Sequence, residues 1–153
     1  MKTRVLFLCT GNSCRSQMAE GLVSAFLGDR FEAHSAGTSP AGYVHPRAVQ
    51  AMREIGADIS RQRSKSVDEF RHQAFDLVIT VCDDAAENCP VWLGQGARVH
   101  LGFPDPAHAS GSDPEIAQAF RDVRDRMRTQ VLRYLNHWER GKELPRSASQ
   151  SDR

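Results

Sequence analysis

No apolar stretch in the 153-residue chain approaches the roughly 20 residues that a bilayer-spanning helix needs, so the sequence offers no helical membrane span. An excess of charge is also missing: 20 Lys and Arg against 19 Asp and Glu leave a formal net charge of +1. No global field therefore recruits nucleic acid or an anionic membrane. The start, MKTRVLFLCTGN, has too short an apolar run for a signal h-region and no small-residue cleavage site. A cytoplasmic, reducing setting is the expectation. Cysteine is scarce, with four residues, and in such a compartment cysteines serve catalysis or metal binding rather than a disulfide framework. The spacings Cys9-x4-Cys14 and Cys82-x6-Cys89 are not those of zinc ligands paired with histidines. His34, His45, His72, His100, His108 and His137 are scattered without ligand spacing and read as solvated or packed, so no metal is expected. No internal repeat or interdomain linker is visible. One domain over 1–140 is expected, as a monomer, followed by a polar, flexible tail over 141–153.

What is present is an alternation of apolar runs and helical patterns. RVLFLC (4–9) reads as a buried parallel strand, and SQMAEGLVSAFLG (16–28) as a helix. A second strand is expected over 30–37, and a helix opened by Pro46 and ended by Gly56. A short helix over 66–73 starts at Ser66 with Glu69 three residues on. Strands are expected over 75–82 and 97–103. From Ser112 to Arg140 one long amphipathic helix carries Ile116, Phe120, Val123, Met127, Val131, Tyr134, Leu135 and Trp138 on a single face. Strands alternating with helices give an α/β fold: a four-stranded parallel sheet with helices on both faces.

Ligands of such sheets bind beyond the carboxyl ends of the strands. Cys9 stands at such an end, and the loop Thr10, Gly11, Asn12, Ser13, Cys14, Arg15, Ser16 leads into the next helix. A short loop feeding a helix N-terminus aims backbone N–H groups and a favourable dipole at an anion. Gly11 and Asn12 tolerate the backbone angles that such a turn demands. Arg15 adds a planar, permanently charged fork suited to a tetrahedral oxyanion, and the Ser16 hydroxyl could donate to a Cys9 thiolate. A nucleophile displacing an oxygen gains from a general acid. Asp105, stiffened by Pro104 and Pro106 and just past the fourth strand, lies on the same edge of the sheet.

In the order VLFLCTGNSCRSQMAEG, HSAG, VITVCDDAAENCP and GFPDP, nearly the whole chain resembles the low-molecular-weight tyrosine phosphatase fold. The resemblance is closest to its thioredoxin-coupled arsenate reductases. It implies that Cys9 is the nucleophile, Arg15 the oxyanion ligand and Asp105 the acid. Reducing arsenate to arsenite takes two electrons, which further thiols must supply. Cys82, ending its strand beside Cys9, would attack that sulfur, and Cys89 would resolve the pair. A Cys82–Cys89 disulfide would remain for an external dithiol, thioredoxin in this branch. In a helix, Cys82 and Cys89 would stand about 10 Å apart at 1.5 Å per residue, beyond the ~4.4–6.8 Å of a disulfide. The segment therefore has to bend on oxidation, and remodelling of 82–96 is the expectation.

A phosphatase acting on phosphomonoesters is the alternative. It is weakened because Ala107, His108 and Ala109 follow Asp105 where aromatic walls would clamp an aryl ring. A non-catalytic oxyanion sensor is a third reading, which leaves Cys9, Cys82, Cys89 and Asp105 idle. Some arsenate reductases of this type hold a potassium ion near the loop. Here Lys65 falls beside Asn12, Glu20 and Ser35, so its ammonium would take the cation's place and no potassium is expected.

Overall fold

The computed structural model describes residues 2–83 and 91–143. Strand β1 (Thr3–Cys9) pairs in parallel with β2 (Phe31–Gly37) on one side and β3 (Leu77–Thr80) on the other; β4 (Ala97–His100) pairs with β3. The order is β2-β1-β3-β4. As the inner strand of the first trio, β1 is covered on both faces, which is why Val5 to Cys9 form an unbroken apolar run.

The period of two sorts β1 onto two cores. Val5, Phe7 and Cys9 join the larger cluster with side chains from α1 (Arg15–Phe26), α2 (Pro46–Arg53) and α3 (Asp113–Glu143). Leu6 and Leu8 point to the other face, where Phe70, Phe75, Val78 and Trp92 cover them. Phe70 comes from a single 3₁₀ turn, Val67–Phe70. The two faces are thus covered unequally among the described residues: three α-helices on one, a 3₁₀ turn with two aromatic side chains on the other. Along α3, Phe120, Val123, Met127, Val131 and Leu135 recur every three or four residues and are buried. Each such side chain contributes about 1.5–3 kcal/mol by leaving water.

Several elements end earlier than the apolar patterns predict. The segment 66–73 is a 3₁₀ turn capped by the Ser66 hydroxyl, which accepts from Asp68 N–H at 3.1 Å. The third strand is Leu77–Thr80, yet the ladder continues, with Asp76 N–H on Arg4 O and Val81 N–H on Leu8 O, both at 2.9 Å. The fourth ends at His100, and Leu101 and Phe103 still donate to Thr80 O and Val81 O. Helix α2 opens with Pro46, His45 Nδ1 accepting from Arg47 N–H, and gives way to a turn at Gly56, whose φ of 82° favours glycine. Helix α3 runs to Glu143, three residues beyond Arg140. Glu54 pins α2 to α3 by accepting from Arg121 Nη2 at 2.9 Å and Arg124 Nη1 at 2.8 Å. Those hydrogen bonds hold its carboxyl down at about 2. No helix among the described residues is long and apolar enough to cross a membrane.

Candidate active site

The turn that follows β1 is held from outside through its carbonyls. Thr10 O accepts from Ser39 N–H, Gly11 O from Ala41 N–H, Ser13 O from His45 N–H and Cys14 O from Met18 N–H, at 2.8–2.9 Å. Asn12 O accepts from Gln17 Nε2 at 3.1 Å. In a planar trans peptide the N–H points opposite to the C=O. With the carbonyls of 10–14 turned outward, the amides of 11–15 face the inside of the loop. Asn12 N–H lies 3.3 Å from Cys9 Sγ. Asn12 itself adopts φ 48°, a left-handed conformation that asparagine tolerates. Gly37 at the end of β2 lets the loop sit this close, since a Cβ there would lie 2.4 Å from Thr10 O.

Hydrogen-bond donors and acceptors in the site follow one from another. Lys65 N–H can only donate and meets Asn12 Oδ1 at 2.9 Å, as does Gln17 Nε2. That orients the Asn12 amide, so Nδ2 donates to Ser16 Oγ at 2.7 Å and to Ser35 Oγ at 3.0 Å. Ser35 O–H donates in turn to Glu20 Oε1. Ser16 has one proton left to give, and Cys9 Sγ is 2.8 Å away. Ser16 O–H and Asn12 N–H are thus both placed to donate to the sulfur. Cys14, also buried in this loop, differs: burial, with Asp105 and Cys9 adding to it, pushes its thiol up to about 12. It is a poor nucleophile at neutral pH.

Arg15 opens α1, where no side chain caps the helix and no acid lies in the first turn, so its dipole is left for an anion. Its guanidinium is buried, donating from Nη1 to Phe103 O at 3.2 Å, with Nη2 3.5 Å from Asp105 Oδ2. Asp105 caps a second 3₁₀ turn, Pro106–His108: its Oδ1 accepts from Ala107 N–H at 2.9 Å. Cys9 through Arg15, Asp105 and His108 line one cavity of about 280 Å³. That is below the ~300–1,000 Å³ usual for drug-sized ligands, and among the described residues that line it there is no Phe, Tyr or Trp.

The sequence-predicted residues Cys9, Thr10, Gly11, Asn12, Ser13, Cys14, Arg15 and Asp105 therefore converge, with Ser16 beneath the sulfur. Cys82 is fully buried in the core cluster that holds Cys9. The register continues to pair Cys9 with Val81, so Cys82 lies one residue further on the neighbouring chain. Cys82 is disulfide-bonded, whereas Cys9 and Cys14 are free. Cys89, and with it residues 84–90 of the 82–96 segment expected to remodel, lies outside the described residues. Lys65 Nζ sits 3.7 Å from Glu20 Oε1 and donates to Arg63 O at 2.9 Å. An ammonium thus stands beside Glu20, next to the loop. Two site residues escaped the sequence reading. Gln17, fully buried, braces Asn12 with no signal in the sequence; His108 lines the cavity, and its spacing three after Asp105 was the signal available.

Residues 4–147 match the family model of the low molecular weight phosphotyrosine protein phosphatases. An arsenate reductase of Halalkalibacterium halodurans is 52% identical over 124 residues, 81% of this chain and 88% of that protein. A solved arsenate reductase in its phosphate-binding state superposes with a TM-score of 0.71 at 31% identity, over 90% of this chain and 98% of the other. A thioredoxin-dependent arsenate reductase of Corynebacterium glutamicum superposes with a TM-score of 0.63 at 27% identity, over 90% of this chain and 63% of the other.

Proposed function

The chain belongs to the low molecular weight phosphotyrosine protein phosphatase family and, within it, to the arsenate reductases; from that premise we propose that it reduces arsenate to arsenite in the cytoplasm through three cysteines. Arsenate binds to the inward amides and to Arg15. Cys9 Sγ attacks arsenic, and Asp105 protonates the oxygen that leaves as water. Cys82 then attacks Cys9 Sγ: the sulfur–arsenic bond breaks, its electron pair stays on arsenic, and arsenite departs. Cys89 attacks Cys82, freeing Cys9, and a dithiol carrier reduces the Cys82–Cys89 bond. Thioredoxin as that carrier is supported by the thioredoxin-dependent relative.

The observation that carries this reading is the place of Cys82. Strands lie about 4.8 Å apart and rise about 3.3 Å per residue, so one residue beyond the level of Cys9 puts the two Cα atoms roughly 6 Å apart, within disulfide reach. Hydrolysis of a phosphoryl-cysteine has no use for a thiol there. The small cavity, with no Phe, Tyr or Trp among its described lining residues, favours a bare oxyanion over an aryl ester. Potassium has no part in this reading, because Lys65 already supplies the countercharge to Glu20.

The test is arsenite release from fully reduced protein. Cys9→Ser and Cys82→Ser should release none. Cys89→Ser should release one equivalent and stop, even with thioredoxin and its reductase present. Sustained turnover by Cys89→Ser would refute the relay.

A further inference from the structure

A general acid must recover its proton after every turnover; the Asp105 side chain is only 21% exposed, and the described side chains around it leave one that can relay a proton from solvent. Oδ1 is engaged by Ala107 N–H, so Oδ2 is the oxygen that faces the cavity and delivers the proton. Arg15 Nη2 is 3.5 Å from it, but a guanidinium does not give up a proton in proteins. Cys14 is held as an inert thiol by burial, and Cys9 is consumed by the chemistry. His45 faces Asp105 from the start of α2, but burial lowers its pKa. Its Nδ1 is committed to Arg47 N–H and its ring packs at a tilt against Phe120, centroids 4.8 Å apart. His108 remains: its Nε2 is 3.6 Å from Asp105 Oδ2, 81% of its side chain is exposed, and it lines the cavity.

Resting on the arsenate reductase reading, we propose that His108 is the positioning residue that carries protons from solvent to Asp105. As the sulfur–arsenic bond forms, Oδ2–H passes to the departing oxygen and Asp105 is left as a carboxylate beside Arg15. The His108 imidazolium gives its Nε2 proton to Oδ2, and the neutral ring takes a proton from buffer. One solvent proton moves to Asp105 and no electrons change hands. Imidazole suits the task because it changes charge near neutral pH. The 3.6 Å separation exceeds the ~2.6–3.2 Å of direct transfer, which an exposed ring closes by a small rotation or spans through one water.

The experiment compares wild type, His108→Gln, Asp105→Asn and the double variant in steady-state arsenite release over many turnovers, with thioredoxin and its reductase in excess. It is run in dilute buffer, across pH, with and without added imidazole. His108→Gln should be about tenfold slower, a smaller loss than the ~10²–10⁴-fold typical of removing the acid itself. Its apparent arsenate affinity should be unchanged, its rate should be restored by imidazole, and its neutral-pH limb should flatten. In the Asp105→Asn background the second substitution should add nothing. An unaltered rate in dilute buffer would overturn the proposal, as would a loss that imidazole does not restore. Failure of the wild type to release arsenite would sink the arsenate reading instead. The same four proteins would then be compared on hydrolysis of phenyl phosphate, whose poor leaving group demands the same acid.

Discussion

Replacing Asn12 by Asp exchanges one NH₂ for an oxygen at the point where the site's hydrogen-bond directions are decided. The retained oxygen still accepts from Lys65 N–H and Gln17 Nε2, so the loop stays braced and φ 48° stays tolerable. On the other side the two donations, to Ser16 at 2.7 Å and Ser35 at 3.0 Å, are lost. The Ser16 hydroxyl now faces two acceptors, the new carboxylate and Cys9 Sγ, with one proton to give. Drawing it away costs the sulfur a charge-assisted hydrogen bond, about 1.5–3 kcal/mol. At about 1.4 kcal/mol per factor of ten, Cys9 should react roughly tenfold to a hundredfold more slowly. The assay is the rate of iodoacetamide labelling of Cys9, resolved by peptide mapping, beside single-turnover arsenite release. Ser16→Ala removes the same donor directly and should slow both rates comparably. If both variants labelled Cys9 at the wild-type rate while folded, Ser16 would not be serving the sulfur and the chain of donors would be misassigned.

Two further outcomes follow from the charged groups. Arsenate turnover should be equal in potassium and sodium buffers, whereas Lys65→Ala, which strips Glu20 of its ammonium 3.7 Å away, should be slower and gain from added potassium; potassium stimulation of the wild type would refute this. Glu54 titrates near 2 when folded against 4.5 as its ordinary value. The unfolded chain therefore binds more protons in that window, and the Glu54 contribution, complete above pH 4.5, is lost as pH falls toward 2. Urea unfolding of Glu54→Gln should show a flatter acid limb there than the wild type, and parallel curves would remove Glu54 from the account.

Local pattern was enough to read the sheet and the loop. A strand covered on both faces must be apolar throughout, which marks Val5 to Cys9. A 3.6-residue period sustained along a 31-residue segment has no other use than a helix packed along one stripe, which marks α3. A cysteine at a strand end followed by Gly11, Asn12 and Arg15 points to an anion because chain direction alone fixes where that loop opens. Element ends were less legible, as at 66–73, where Phe70 meets Phe75 edge-on across the second face only once the sheet has brought the two together.

Directions and pairings belonged to the tertiary structure. Asn12 could be recognised as a turn residue from its neighbours, but the sense of its amide is set by Lys65 N–H, 53 residues away. Arg15 is aimed by the carbonyl of Phe103, 88 residues on. His108 looked like any solvated histidine until the 3₁₀ turn after Pro106 placed its ring beside Asp105 Oδ2. Periodicity reports which face a side chain takes because burial acts on every turn of a helix or strand. A hydrogen bond has direction and a single partner, and that partner is brought in by the fold.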